Sequence, residues 1–158
     1  MKDVSGLIPF VGMQQEEQKK IEGLLKEVIS APHGLLKISA SDIRELFSGG
    51  GEIHAIDISM DGAEEKRMEQ SIKQVKEKTK CLHAFSRALI YFFFPENHPL
   101  VMDELYHVNE WMESIPNKFM IKWGMATQTS PEFRVIVLLQ DTESCRSEVY
   151  DFFNKNIF

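Results

Sequence analysis

Arg87-Ala88-Leu89-Ile90-Tyr91-Phe92-Phe93-Phe94 is the stretch from which the rest of the chain is read. It is apolar almost throughout, with no polar residue on every second position, and that suits a β-strand covered on both faces. With Pro95 it ends the longest uninterrupted apolar run of the chain, Ala88 to Pro95, which is far too short to cross a bilayer as a helix. Beyond it, Pro99 opens a helix, a position it suits because its missing N–H would go unbonded there anyway. Val101, Leu105, Val108, Met112 and Ile115 form that helix's buried face. Two more strands follow, over 118–127 and 133–140, joined by Gln128-Thr129-Ser130-Pro131-Glu132. The tail, 142–158, has room for one helix around 148–153.

Upstream of the apolar strand, residues 63–80 read as a highly charged helix with a narrow stripe of Met68, Ile72 and Val75. Met60-Asp61-Gly62 turns into it from a strand over 52–59. There Ile53 and Ala55, then Ile56 and Ile58, keep a period of two with one phase slip, which reads as a bulge. Further back, Ile21, Leu24, Leu25, Val28 and Ile29 mark an amphipathic helix over 14–31, ended by Pro32-His33-Gly34. Leu35-Leu36-Lys37-Ile38 leads to a shorter helix over 40–47. Ser39 is its N-cap, and Asp42 stands at the capping-box spacing. Ser48-Gly49-Gly50-Gly51 stops it.

After the first two helices the order is β-α-β-α-β-β. The expected fold is α+β, a four-stranded mixed sheet with helices packed on one face, preceded by an N-terminal helix pair. Three spans follow: an N-terminal helical segment 1–48, the α+β domain 49–141, and a tail 142–158.

Composition narrows the function classes. The chain has 158 residues, 43% hydrophobic and 27% charged, the profile of an ordinary globular domain. Its net charge of −6 lacks the positive excess that binding a phosphate backbone draws on, so no nucleic-acid partner is expected. Cys81 and Cys145 are too few for a disulfide framework and fit a reducing compartment. Residues 1–12 have no apolar core and do not read as a signal peptide, so a cytoplasmic protein without membrane contact is expected.

Motifs that carry chemistry are few. The Ser48–Gly51 run does not suit a phosphate cradle, because a helix precedes it and a strand follows; such cradles need the reverse order. His33, His54, His83, His98 and His107 share no metal-ligand spacing with one another or with the cysteines, and no metal or other cofactor is expected. Neither cysteine sits in a nucleophile motif, and there is no G-x-S-x-G elbow. The charges of 63–80, Arg67 among them, read as a solvated face whose basic second half suits an acidic partner. Tyr150 with Phe152-Phe153 reads either as a docking peptide or as a segment that packs back on the sheet.

The element order and several segments resemble the C-terminal half of FtsZ, the bacterial tubulin homologue that assembles the division ring. Leu36-Lys37-Ile38-Ser39-Ala40-Ser41-Asp42-Ile43-Arg44-Glu45-Leu46-Phe47 is similar to the family's I-N-V-D-F-A-D-V-R-T-V-M stretch. Ala88 to Phe93 resembles its G-V-L-V-N-I strand, and Met102-Asp103-Glu104-Leu105 the L-D-E-F opening of its last long helix. Ile121 to Thr127 and Glu132-Phe133-Arg134-Val135-Ile136-Val137 resemble its I-G-T-S and E-L-R-V-T-V strands. The resemblance covers about residues 20–140. It implies the end of the central helix and the activation domain.

In the family, GTP is held by an N-terminal domain with a G-G-G-T-G-[ST]-G loop that this chain lacks, so it is not expected to bind GTP by itself. The loop similar to 36–42 completes the GTPase site of the neighbouring subunit, where two acidic residues position water. Here Lys37 stands at the Asn position, Ser39 at the first acidic position, and only Asp42 is kept. Loss of one of two such carboxylates implies a poor activator. Lys37, Ser39 and Asp42 are therefore the candidate filament-contact loop.

The preferred reading is a non-catalytic FtsZ-like protein that works by contact, with FtsZ or with itself as a homo-oligomer, and that modulates or caps filament assembly. The Met1 start and the departures at Lys37 and Ser39 weigh against an excised part of a longer GTPase. The alternative is a small-ligand or regulatory α+β domain that self-associates, with Tyr91, Phe92, Phe93, Phe94 and Trp123 lining a pocket. No nucleophile–base pair or metal set supports an enzyme.

Overall fold

The structure is a computed structural model that describes residues 15–31, 33–48, 53–79, 85–115 and 120–141. The Gly49–Gly51 stop, His83, both cysteines and the tail with its expected helix lie outside the described residues. The elements are α1 (Gln15–Ile29), β1 (His33–Leu36), α2 (Ala40–Leu46), β2 (Ile53–Asp61), α3 (Arg67–Thr79), β3 (Phe85–Pro95), α4 (Met102–Ser114), β4 (Met120–Gln128) and β5 (Glu132–Asp141). None of the described helices is long and apolar enough to cross a membrane.

The α+β class with a mixed sheet is present as expected. The four expected strands are contiguous, and a fifth joins them at one edge, giving the order β1-β4-β3-β5-β2. β3 lies at the centre, parallel to β4 and antiparallel to β5. The added strand, β1, pairs antiparallel with the second half of β4, with an irregularity between Gly34 and Leu36. Its four residues carry too little pattern to read as a strand without its partner. Gly124 of β4 makes room for it: a Cβ there would collide with the Leu36 carbonyl oxygen and come within 2.7 Å of the Tyr91 ring. Only glycine fits so close an approach.

Helices cover both faces of the sheet, where the sequence led to an expectation of one. The residues of β3 sort strictly by parity. Leu89, Tyr91 and Phe93 join one core with Leu24, Leu25 and Val28 of α1 and Ile43 and Leu46 of α2. Ala88, Ile90, Phe92 and Phe94 join the other with Met68, Ile72 and Val75 of α3 and Val108 and Trp111 of α4. The N-terminal helix pair is thus the second outer layer. It covers the face that would otherwise leave Leu89, Tyr91, Phe93, Ile136 and Leu138 in water.

The same arrangement removes the expected bulge in β2. Its pairing with β5 runs unbroken from Ile53–Gln140 to Asp61–Glu132. Ile53 and Ala55 face the α1/α2 core, while Ile56, Ile58 and Met60 face the α3/α4 core. The phase slip is one regular strand that buries opposite faces along its length.

Candidate functional site

Lys37, Ser39 and Asp42 come together where β1 leads into α2. Lys37 and Ser39 are exposed and Asp42 is half-buried. The capping box is complete. Ser39 Oγ accepts from the Asp42 N–H at 3.1 Å, and the Asp42 carboxylate accepts from the Ser39 N–H at 2.9 Å. These bonds satisfy donors that the helix itself leaves unpaired. The other Asp42 oxygen accepts from Lys122 Nζ of β4 at 3.2 Å, and Glu45 lies 3.5 Å from the same ammonium. The Ser39 hydrogen bonds, and after them Lys122, hold the Asp42 carboxyl below the usual carboxylate range. Lys122 is held above its ordinary value by Asp42.

The other end of α2 is also tied down. Arg87 of β3 donates to the Leu46 carbonyl at 3.1 Å, and the Gln140 amide to the Phe47 carbonyl at 3.3 Å. On the same face Arg134 of β5 forms a bidentate pair with Asp57 at 2.9 and 2.8 Å, and a second pair with Glu27 of α1 at 2.9 Å. The start of α2 is therefore tied to the sheet by Lys122 of β4 and its end by Arg87 of β3 and Gln140 of β5, while Arg134 ties α1 to β2 and β5. The Asp42 carboxylate is engaged on one oxygen by the cap and on the other by Lys122.

A second constellation was not expected. Arg67 is only 4% exposed, so it does not belong to a solvated helix face. All five of its N–H donors find acceptors. Nε and Nη2 hold Glu104 at 2.7 and 2.8 Å, Nη1 reaches the carbonyls of Gly62 at 2.8 Å and His98 at 2.7 Å, and Nη2 that of Pro99 at 3.0 Å. The guanidinium lies 5.2 Å from the ring centroids of both Phe94 and Phe133. Glu104 also accepts from the Val101 N–H at 3.1 Å, which closes the start of α4. The helix starts at Met102 rather than at Pro99 because the carbonyls of 98–99 turn toward the arginine. Gly62 is fixed by the same packing: a Cβ would collide with the Pro95 ring and lie 2.5 Å from the Pro131 carbonyl oxygen. The sole sequence signal for this centre was an arginine and a glutamate at the starts of two amphipathic helices.

A further polar group joins α3 to α4, where His107 Nε2 lies 3.0 Å from Glu69 and 3.4 Å from Asp103. These carboxylates are exposed and the geometry is that of a surface histidine–carboxylate cluster. Tyr91, Phe92, Phe93 and Phe94 are buried in the two cores, and Trp123 is partly buried against one of them.

This mixed sheet, with α1 and α2 on one face and α3 and α4 on the other, is similar in fold to the C-terminal domain of tubulin/FtsZ-like proteins. Among solved structures the chain is similar to TubZ of Bacillus thuringiensis serovar israelensis, in GDP-form protofilaments, with a TM-score of 0.59 and 13% identity over 86% of this chain and 40% of TubZ. It is also similar to CetZ2 of Haloferax volcanii, in a GTPγS-bound protofilament, with a TM-score of 0.52 and 15% identity over 97% of this chain and 51% of CetZ2. The likeness is one of fold, and the chain spans about half or less of the length of each. No family model matches the sequence, and no curated protein matches it.

Proposed function

We propose that the chain is a non-catalytic contact domain that binds a filament-forming FtsZ, or a second copy of itself, and limits assembly. The observation that carries this reading is the pairing of a fold similar to part of two protofilament-forming proteins with a rigid edge bearing Lys37, Ser39 and Asp42. Head-to-tail filaments join one face of a subunit to the opposite face of the next. A domain that offers one such face occupies a filament end without extending it.

The chemistry of the edge supports contact over catalysis. Lys37 places a cation, and Ser39 a hydroxyl tied into a cap, where the resembling loop carries an amide and a carboxylate. Asp42 accepts from Ser39 and Lys122, and a carboxylate held in that way is poorly placed to orient a water molecule.

Light scattering of FtsZ with GTP is the test. The chain lowers polymer yield at substoichiometric ratios, and Lys37→Glu weakens that effect, because a reversed charge at an interface chiefly slows encounter. Unchanged assembly at equimolar protein would sink the FtsZ reading. Sedimentation of the chain alone then separates self-association from no association.

A further inference from the structure

Between α3 and α4, above the start of the sheet, lies a groove that neither core fills. Its inner part is an apolar cavity of about 260 Å³ walled by Val75, Trp111, Ile115, Ile121 and Leu139. Its outer part, about 440 Å³, shares Lys76, Trp111 and Ser114 with the inner one and adds Lys73 and the polar rim. Lys73 and Lys76 make no ion pair among the described residues.

We propose that the chain's own residues 148–153, Glu148-Val149-Tyr150-Asp151-Phe152-Phe153, dock in this groove in cis. Three observations point to that occupant. The first is position. Leu139 lines the cavity, and Asp141, two residues on, pairs with Phe85 at the start of β3, so the chain leaves the sheet at the groove's rim. The second is reach. The six-residue connection 142–147 spans at most about 20 Å when extended, which is ample for a site this near yet short enough to favour it over the far face of the sheet. The effective concentration of a segment on so short a tether is on the order of millimolar, so modest intrinsic affinity suffices. The third is chemistry. Two phenylalanines and a tyrosine match the apolar walls, and Glu148 and Asp151 have Lys73 and Lys76 to pair with on the α3 side of a rim that also carries Glu69 and Glu110. The sequence 148–153 contains no basic residue that those lysines would repel. The far face of the sheet is already covered by α1 and α2.

The test uses the full chain with Cys81→Ser, Cys145→Ser and Asn156→Cys, a nitroxide on the introduced thiol, and amide spectra of the folded protein. Paramagnetic broadening is expected at the amides of Val75, Thr79, Ser114 and Ile121, with those of Leu24 and Ile43 on the other face unaffected. Adding Phe152→Ser and Phe153→Ser restores the lost intensity, and Lys73→Glu with Lys76→Glu restores part of it, with the dispersion of the spectrum unchanged in each case. Broadening that is spread over both faces, or that survives the phenylalanine changes, overturns the proposal. So does broadening that appears in isotope-labelled, spin-free chains when spin-labelled ones are mixed in, since the segment then docks on a second copy.

Discussion

At the scale of single residues, Arg67 decides more than any other side chain. A buried ion pair is a weak source of net stability, because desolvation of both charges offsets their attraction. Breaking it from one side leaves a charge stranded. Here it would strand Glu104, 7% exposed, together with the carbonyls of Gly62, His98 and Pro99 that the guanidinium now satisfies. Arg67→Met is expected to cost about 3–5 kcal/mol in urea unfolding. Adding Glu104→Leu should recover much of that loss, since the stranded charge is gone, although the three carbonyls stay unpaired. A single substitution that lost less than about 1 kcal/mol would mean that water replaces the arginine. Arginine rather than lysine fits this site because only a planar fork reaches five acceptors in two directions while lying against two phenylalanine rings.

At the scale of elements, α2 is short, with seven residues, and depends on its ends. Ser39→Ala removes a cap and should cost about 1 kcal/mol. Asp42 adds a pH dependence whose sign follows from its lowered pKa. The folded state favours the carboxylate, so the stability it contributes is present above the ordinary value of about 3.9 and is lost as pH falls through the lower folded-state value. Comparing Asp42→Asn with the native chain by chemical denaturation at pH 7 and stepwise toward pH 2 should show a native advantage that shrinks only below about pH 4. An advantage constant across that range would mean that the charge is not what stabilises the edge. This element was legible from the start, because a capping box is a local code: Ser39 and Asp42 need only each other and their own two N–H groups. The helices with apolar stripes and the strands β3 and β5 were legible for the same reason. What escaped was non-local. β1 is a strand only because β4 offers a partner around Gly124, and the start of α4 is set by an arginine more than thirty residues away. Arg67 itself looked like one charge among ten on a polar helix. Nothing in the adjacent sequence shows that carbonyls from two loops converge on it. Of the candidate site, its cap could be read in the sequence, but its lysine could not: Lys122 reaches Asp42 across eighty positions.

At the scale of the whole molecule, the sheet is a shared wall between two cores, and its residues alternate between them. Removing the α1/α2 layer would expose Leu89, Tyr91, Phe93, Ile136 and Leu138, all of them 5% exposed or less, on the two central strands. The opposite core rests on Ala88, Ile90, Phe92, Val135 and Val137 of those same strands. Neither layer can leave without stripping half the burial of β3 and β5, so the two are expected to unfold together. Both tryptophans allow this to be tested from one side. Trp111 of α4 and Trp123 of β4 belong to the α3/α4 face, whereas Leu25 of α1, fully buried, belongs to the other. Leu25→Ala leaves a cavity beneath α1 and should cost about 2–5 kcal/mol. If the sheet couples the layers, tryptophan fluorescence and far-UV circular dichroism lose signal at one denaturant midpoint, and Leu25→Ala moves both midpoints equally although no tryptophan touches the mutated core. If the helix pair is an appendage instead, dichroism falls first and the fluorescence midpoint stays at its native value. The same coupling bears on the proposed contact edge. Lys37, Ser39 and Asp42 sit on the α1/α2 side, clamped through Lys122, Arg87 and the sheet, so a single midpoint would mean that the edge is as rigid as the domain that carries it.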